Sequence, residues 1–514
     1  MKDMGAFKEV PCPQGVKVLG TLTRTDRQWY KIDNGIFTKR KVRLCIRGDQ
    51  QEEGRDYNPQ DLYAPTLKST EARLIAAISA QHGNIMWKTD CKQAFLNGDM
   101  DVDLYVRPPD WWPEKLKEGN VLLLCKSIYG TRQAARRWHI RIASWMSDNG
   151  YHAVNNEETI FMKREGDDWI MHGLYVDDMQ HSSTSQRLKN EFMTLYQRDF
   201  TVTGGETMET FLGMQVEHHP DGIHLHMTNY LDEVLSAYQE FIRRPLRPKR
   251  LPEAPNHCLS KVDCPEQCDP LASHYRSYVM KLQFLATWIR FDISHAVSQL
   301  ASFCSNPGPT HWAALHHLME YLFRHTSFTL KYKRGIPTSY DFDGFVDSDW
   351  GTTVDSRRST TGYISRYFGT PISWKSKLQT SVAFSSAEAE YMAASDYVKE
   401  VIYMRNLLKN MGFEQGPATV VYEDNSACLE WGNNIIGGRE RAKHIDIRKH
   451  FAHEAIMHGH LVLTKIPTDA QLADIMTKGL KESQHSMCIT GLLGEPLTPS
   501  PNASAQEGVT RPSS

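Results

Sequence analysis

The chain has 514 residues, 40% of them hydrophobic, a length that suits two to four domains rather than one core. Its ten cysteines are too sparse for a disulfide scaffold and suit a reducing compartment, and no run nears the roughly 18 apolar residues of a membrane span. With 59 Lys and Arg against 61 Asp and Glu, the net charge of −2 argues, taken whole, against a nucleic-acid partner.

Taken in chain order, the segments say otherwise. Met1–Val10 has no apolar h-region, so no secretory signal is expected. Arg24 to Arg55 holds nine basic residues against five acidic ones. Asn84 to Asp90 reads as a short apolar strand ending on an acid, and Cys91 to Gly98 follows it. Lys126 to Ser144 carries five basic residues and no acid. Trp169 to Val176 is a second apolar run, ending in Asp177-Asp178, which suits a hairpin turn. A third basic cluster, Arg243 to Arg250, opens a Pro-rich linker. Three such clusters flanking acidic motifs point to a phosphate backbone.

In that linker, Cys258, Cys264 and Cys268 beside His257 lack the paired spacing of zinc modules, and free thiols are expected. From 271 to 335 the pattern is helical: Tyr275, Val279, Leu282, Leu285, Ile289, Ile293, Val297 and Leu300 recur every three or four positions, and Pro307 is a stop. Strands return from Ser339, then alternate with helices to about Leu480. Gly494 to Ser514 is Ser/Pro-rich and reads as disordered. The expected boundaries are 1–240, 241–338, 339–482 and a tail from 483 to 514.

The acids are the chemistry. Asp90, Asp177 and Asp178 are three carboxylates at strand ends, able together to hold two hard dications. A second set lies further on: Asp347 near the end of a strand-like run, Glu388 and Glu390 where Ser385 or Ser386 caps a helix, Asp424 after the apolar run from Ala418, and Asp474 near the C-terminus. Glu388 and Glu390 lie roughly 200° apart around a helix, so only one is expected to face a metal.

The order of these pieces is similar to a known family. Residues 37–240 resemble the reverse transcriptase of copia-type long-terminal-repeat retrotransposons, on Lys41-Val-Arg43-Leu, Arg47-Gly48, Asp90 to Gly98, Lys126-Ser-Ile-Tyr-Gly130-Thr-Arg-Gln133-Ala, Tyr175-Val-Asp-Asp178 and Phe211-Leu-Gly213. Residues 339–480 resemble the ribonuclease H of the same elements, on Val346-Asp-Ser-Asp-Trp350, Ser385-Ser-Ala-Glu-Ala-Glu-Tyr391, Asp424-Asn425, Lys443-His444-Ile-Asp446 and Ala473-Asp474-Ile-Met-Thr-Lys478.

The resemblance implies a mixed α+β and α/β multidomain fold. It would comprise a right-hand polymerase domain of fingers and palm, a helical connection and a ribonuclease H-like domain. It implies Asp90, Asp177 and Asp178 as polymerase metal ligands beside Tyr175, with Phe95 as a gate against a ribose 2′-hydroxyl. Gln133 would position nucleotide and template, and Lys41, Arg43 and Arg47 are candidates for the triphosphate. Asp347, Glu390, Asp424 and Asp474 would hold the nuclease metals, with Glu388 the rival of Glu390. Two Mg²⁺ or Mn²⁺ ions per site are expected.

The implied partners are an RNA template, a DNA primer, their hybrid and deoxynucleoside triphosphates. A cytoplasmic virus-like particle with a nuclear stage is the implied setting. Ala135, Phe291 and Gly479 stand where the family usually has proline, and no histidine precedes Asp474 in the Ile466–Ala473 loop. Protease, integrase and Gag zinc motifs are absent, so the chain reads as part of a longer Gag-Pol polyprotein. The rival reading is a decayed or domesticated fragment that only binds nucleic acid.

Overall fold

The protein was analysed as a computed structural model that describes residues 4–32, 35–113, 115–255, 258–335, 342–433 and 451–500. Side chains are described for these except 26–32, 35–41 and 431–433. The chain divides into two compact units, Met1–Leu67 with Met86–Thr207, and Lys68–Ile85 with Met208–Ser514. Residues 68–85 and 208–240 thus group with the second unit, although the sequence pattern runs them together with the first.

The first unit is built on a six-stranded sheet in the order 202–207, 87–91, 178–183, 168–175, 160–165, 152–153. Two helices, Ala134–Asp148 and Gln186–Asp199, turn an apolar stripe inward. Trp138, Ile142, Trp145 and Met146 of one join Leu188, Phe192 and Tyr196 of the other in a core with Trp87, Ile170 and Phe200. A long antiparallel hairpin pairs Thr21–Ile32 with Gly35–Ile46. A smaller four-stranded sheet, in the order 7–11, 120–124, 105–106, 18–19, closes over Leu104, Val106, Leu122 and Ile128.

Within the large sheet, His172 and His181 are cross-strand partners, and both are fully buried. Their Nδ1 atoms lie 2.7 Å apart, and His181 Nε2 is 2.8 Å from the Thr89 hydroxyl. Burial pushes His172 down to about 3 and His181 well below its ordinary value.

The second unit holds two sheets. One runs 210–211, 214–219, 222–226, 329–333. The other runs 370–378, 360–367, 342–349, 419–423, 461–465, with the first three strands antiparallel and the last two added in parallel. Helix Ser386–Asn410 packs so closely on this sheet that a Cβ at Gly344 would lie 1.8 Å from the Tyr397 hydroxyl. Helix Ser69–His82 joins this unit because Arg73, 1% exposed, donates to the carbonyls of Ile372, Thr287 and Trp288 and stacks on Trp374.

The helical periodicity from Tyr275 to Leu300 holds, with all eight residues buried, but the helix does not run through. It stops at Trp288 and resumes at Ser294. Between them Arg290 and Asp292 form a two-pronged ion pair with both contacts at 2.8 Å, and the Tyr321 hydroxyl donates to Asp292 at 2.6 Å. The break in the helix coincides with this buried and fully hydrogen-bonded charge pair.

At the C-terminus the structure corrects the expected tail. Glu482–Leu493 is a helix that buries His485, Cys488, Ile489 and Leu492, an apolar face that the neighbouring Ser/Pro-rich composition masks. Residues 501–514 lie outside the described residues. No helix of the described residues is long and apolar enough to cross a membrane.

Two stability predictions follow from these buried groups. Asp292→Ala strands the Arg290 guanidinium without its counter-ion, and a loss of about 3–5 kcal/mol is expected in chemical unfolding. For the histidine pair, the unfolded chain takes up protons below about 6.5 that the folded unit refuses. Stability therefore falls as pH drops from about 6.5 toward 3, by up to ~1.4 kcal/mol per pH unit for each histidine. Urea unfolding across that range should show a shallower slope in His172→Leu than in the parent chain.

Candidate active sites

The first site grows from strand pairing. Asp178 is the register partner of Asp90 on one side and of Tyr175 on the other. Only Val176 and Asp177 are left to turn the chain between the strands Asp168–Tyr175 and Asp178–Ser183. Val176 adopts φ +56°, a left-handed conformation that a β-branched residue resists. The Trp138 indole holds it there by donating to the Val176 carbonyl at 2.6 Å, and the Cys91 amide donates to the Asp177 carbonyl at 2.9 Å. Asp90, Asp177 and Asp178 are thus fixed at one end of the sheet, each half-buried. Burial, then the neighbouring Asp177 and Asp90, raises the Asp178 carboxyl.

Phe95 sits on the short 3₁₀ turn Ala94–Asn97, whose carbonyl accepts from the Ser127 hydroxyl at 2.5 Å. Its ring meets that of Tyr129 at 4.6 Å between centroids. Tyr129 escaped the sequence reading, although it stands next to Gly130 in the motif containing Gln133. Burial and the charge of Asp177 raise its phenol, while Arg43 opposes the shift. Arg43, Tyr129, Asp90 and Asp177 therefore share one electrostatic neighbourhood. Gly130 is required here, because a Cβ would lie 2.1 Å from the Ile46 carbonyl oxygen.

Other expected contacts fall elsewhere. Gln133 is 2% exposed, and its amide is taken up by protein: Oε1 accepts from Gln51 at 3.0 Å, and Nε2 donates to the Asp56 carbonyl at 3.0 Å. In this arrangement it braces the loop from Gly48 to Asp56. Arg47 is exposed and paired with Asp49 at 2.8 Å. The Lys41 side chain lies outside the described residues.

The second site is buried. Ligand oxygens of Asp347, Glu390 and Asp424 all lie within 4.8 Å of one another, a spacing to which the three acids of the first site are not drawn. Asp347 is near the end of the central strand Phe342–Asp349, and Asp424 directly follows its parallel neighbour Thr419–Glu423. Glu390 comes from the helix that Ser385 caps, the serine hydroxyl accepting from the Glu388 amide at 3.2 Å. Glu388 turns back to accept from the Phe384 amide at 2.8 Å, and it is Glu390 whose carboxylate lies with those of Asp347 and Asp424. Burial, then Asp347, Glu423 and Asp424, raises the Glu390 carboxyl well above its ordinary range, and its Oε2 has no hydrogen-bond partner. A buried carboxyl oxygen without a hydrogen-bond partner, facing two more carboxylates, fits a hard dication, whose charge would favour the ionised form.

Asp474 stands beside this trio without joining it. It is held by Lys478 at 2.7 Å and by the Gln484 amide at 2.5 Å. Lys478 also reaches Asp347 at 3.7 Å, and the Thr477 hydroxyl donates to the same Asp347 oxygen. Glu423 was overlooked in the sequence: it is fully buried, and burial raises its carboxyl beside Asp347 and Asp424. Alternation along Thr419–Glu423 turns it inward, and that signal was available. Lys443, His444, Asp446 and His450 lie outside the described residues, as does His257. Cys258, Cys264 and Cys268 are free thiols. His311 serves a helix start, accepting from the Gly308 amide at 2.8 Å.

Residues 5–241 match the family described as "Reverse transcriptase (RNA-dependent DNA polymerase)". The chain is 30% identical over 495 residues to the "Retrovirus-related Pol polyprotein from transposon TNT 1-94" of Nicotiana tabacum, covering 94% of this chain and 36% of that protein. It is 29% identical over 473 residues to the corresponding polyprotein from transposon RE1 of Arabidopsis thaliana, covering 92% of this chain and 31% of that one. The chain thus spans about a third of the length of these curated relatives. Among solved structures, a foamy viral protease-reverse transcriptase in complex with double-stranded DNA aligns over 91% of this chain and 68% of that one, at 10% identity and a TM-score of 0.47. The family match over residues 5–241 and the alignment of more than nine-tenths of the chain with these polyproteins support a copia-type Pol fragment that contains a reverse transcriptase domain.

Proposed function

We propose that this segment is an RNA-directed DNA polymerase joined to a ribonuclease H. It copies an RNA template from a DNA primer with deoxynucleoside triphosphates and then cleaves the RNA of the resulting hybrid. The observation that carries this reading is that carboxylates converge twice, once in each compact unit, at the ends of paired strands. Asp90, Asp177 and Asp178 would hold Mg²⁺ or Mn²⁺ in the first site, and Asp347, Glu390 and Asp424 in the second, with Asp474 completing a two-ion set. When bound, such ions lower the pKa of an attacking hydroxyl or water and stabilise the leaving oxygen.

The protein's own groups do the rest. Phe95 and Tyr129 form an aromatic wall beside Asp90, where a sugar without a 2′-hydroxyl would lie. Arg43 supplies positive charge to the same neighbourhood and is suited to a triphosphate. Gln133 acts indirectly, by holding the Gly48–Asp56 loop against the helix that follows it. In the second site Lys478 and Thr477 orient Asp347 and offset the repulsion between it and Asp474. The whole polyprotein would add integrase and work in a cytoplasmic virus-like particle with a nuclear stage.

Paired substitutions test the two-site reading. Asp177→Asn should reduce primer extension on RNA by at least about 100-fold while hybrid cleavage persists, and Asp424→Asn should do the converse. Loss of both activities from either change, in a folded protein, would sink the two-site assignment. A parent chain that binds hybrid but shows neither activity with Mg²⁺ or Mn²⁺ would support the binding-only reading.

A further inference from the structure

Outside both sites, one hairpin concentrates a different ligand chemistry. Between Met214–His219 and Gly222–His226 the sequence reads Glu217-His218-His219-Pro220-Asp221-Gly222-Ile223-His224-Leu225-His226. The register pairs Gln215 with His226, Glu217 with His224 and His219 with Gly222. Alternation then sets Glu217, His219, His224 and His226 on one face, while Val216, Ile223 and Leu225 are buried on the other.

Three of these side chains converge, and the fourth, His226, meets Glu217. The Glu217 carboxylate meets His219 Nε2 at 3.0 Å through one oxygen and His226 Nε2 at 3.2 Å through the other. The His219 and His224 rings stack at 4.2 Å. Ligand atoms of Glu217, His219 and His224 lie within 4.8 Å of one another. His226 is oriented from behind, its Nδ1 2.9 Å from the Thr228 hydroxyl, which is how ligating histidines are commonly fixed. Asp221 at the tip stands 3.6 Å from His224 Nε2. Lys331, the strand partner of His224, is neutralised in part by Glu495 at 2.6 Å. A solvated polar face accounts for one histidine–glutamate contact, but not for three imidazoles gathered round one carboxylate.

We propose that this hairpin binds one borderline transition-metal dication of the Zn²⁺ class through His219, His224, His226 and Glu217. Imidazole nitrogen with one carboxylate is a donor set for Zn²⁺ and its neighbours and a poor one for Mg²⁺. Ligand atoms of Glu217, His219 and His224 already lie within 4.8 Å of one another, and His226, 3.2 Å from the other Glu217 oxygen, would turn in as the fourth ligand. The ion would staple the two strands just after the Phe211-Leu-Gly213 segment.

The test is Co²⁺ titration of the tag-free full chain in excess Mg²⁺, read by visible absorption. One tetrahedral Co²⁺ per chain is expected, displaced by Zn²⁺, with Zn²⁺ raising the melting temperature by about 3 °C over chelator-treated protein. His219→Ala/His224→Ala should abolish both signals, while His218→Ala, whose side chain lies on the opposite face, should keep them. If the double variant melts lower even in chelator, Glu217→Gln decides, with an expected loss of affinity of at least tenfold. Absence of tetrahedral bands, their persistence in the double variant and in Glu217→Gln, or a thiolate charge-transfer band in the near ultraviolet would each overturn the proposal.

Discussion

Like charges held close together in a protein interior are the constraint on which the rest of this chain depends. Two carboxylates 4.8 Å apart repel by about 3.5 kcal/mol at an effective dielectric of 20, so nothing in the side chains themselves brings Asp347, Glu390 and Asp424 together. The backbone has to do it. Asp347 lies on the strand at the centre of the five-stranded sheet, Asp424 directly after its parallel neighbour, and Glu390 on a helix pressed against that sheet through the gap at Gly344. Each element is fixed by contacts remote from the acids. Burial first, and the repulsion after it, then raise the Glu390 and Glu423 carboxyls above their ordinary range.

The two sites meet this constraint by opposite means. In the first, the acids stay half-exposed, where water screens them, and the cost is paid in backbone strain at Val176. A hairpin turn only two residues long brings Asp177 and Asp178 beside Asp90 with little desolvation. In the second, Asp347, Glu390 and Asp474 are buried and Asp424 half-buried, so compensation comes from polar side chains: Lys478 between Asp474 and Asp347, and Thr477 on Asp347.

What the sequence revealed follows the range of the interactions involved. Acids at strand ends, the Ser385 cap and the apolar spacing from Tyr275 to Leu300 are local patterns, and each appears where its spacing places it. The charge pair at the Arg290 break is completed by Tyr321, and the bracing by Gln133 involves Gln51, 82 residues away, so neither had a local signature. Tyr129 and Glu423 had signatures that a neighbouring residue overshadowed. The helix Glu482–Leu493 was hidden because its composition reads continuously with the Pro-rich stretch after it.

Bulk charge pointed away from nucleic acid because it averaged over donor types as well as over segments. Carboxylates gathered without imidazole select hard, weakly held dications that are abundant and exchange readily, which suits catalysis on phosphates. Imidazoles gathered round a single carboxylate select ions higher in the Irving–Williams order, held tightly and suited to structure. The hairpin from Met214 to His226 separates the imidazole cluster from the carboxylate clusters along the chain, so the two donor sets need not compete for one ion. The same 61 acidic residues that cancel the net charge are therefore divided by their neighbours into different functions, and only the neighbours reveal which.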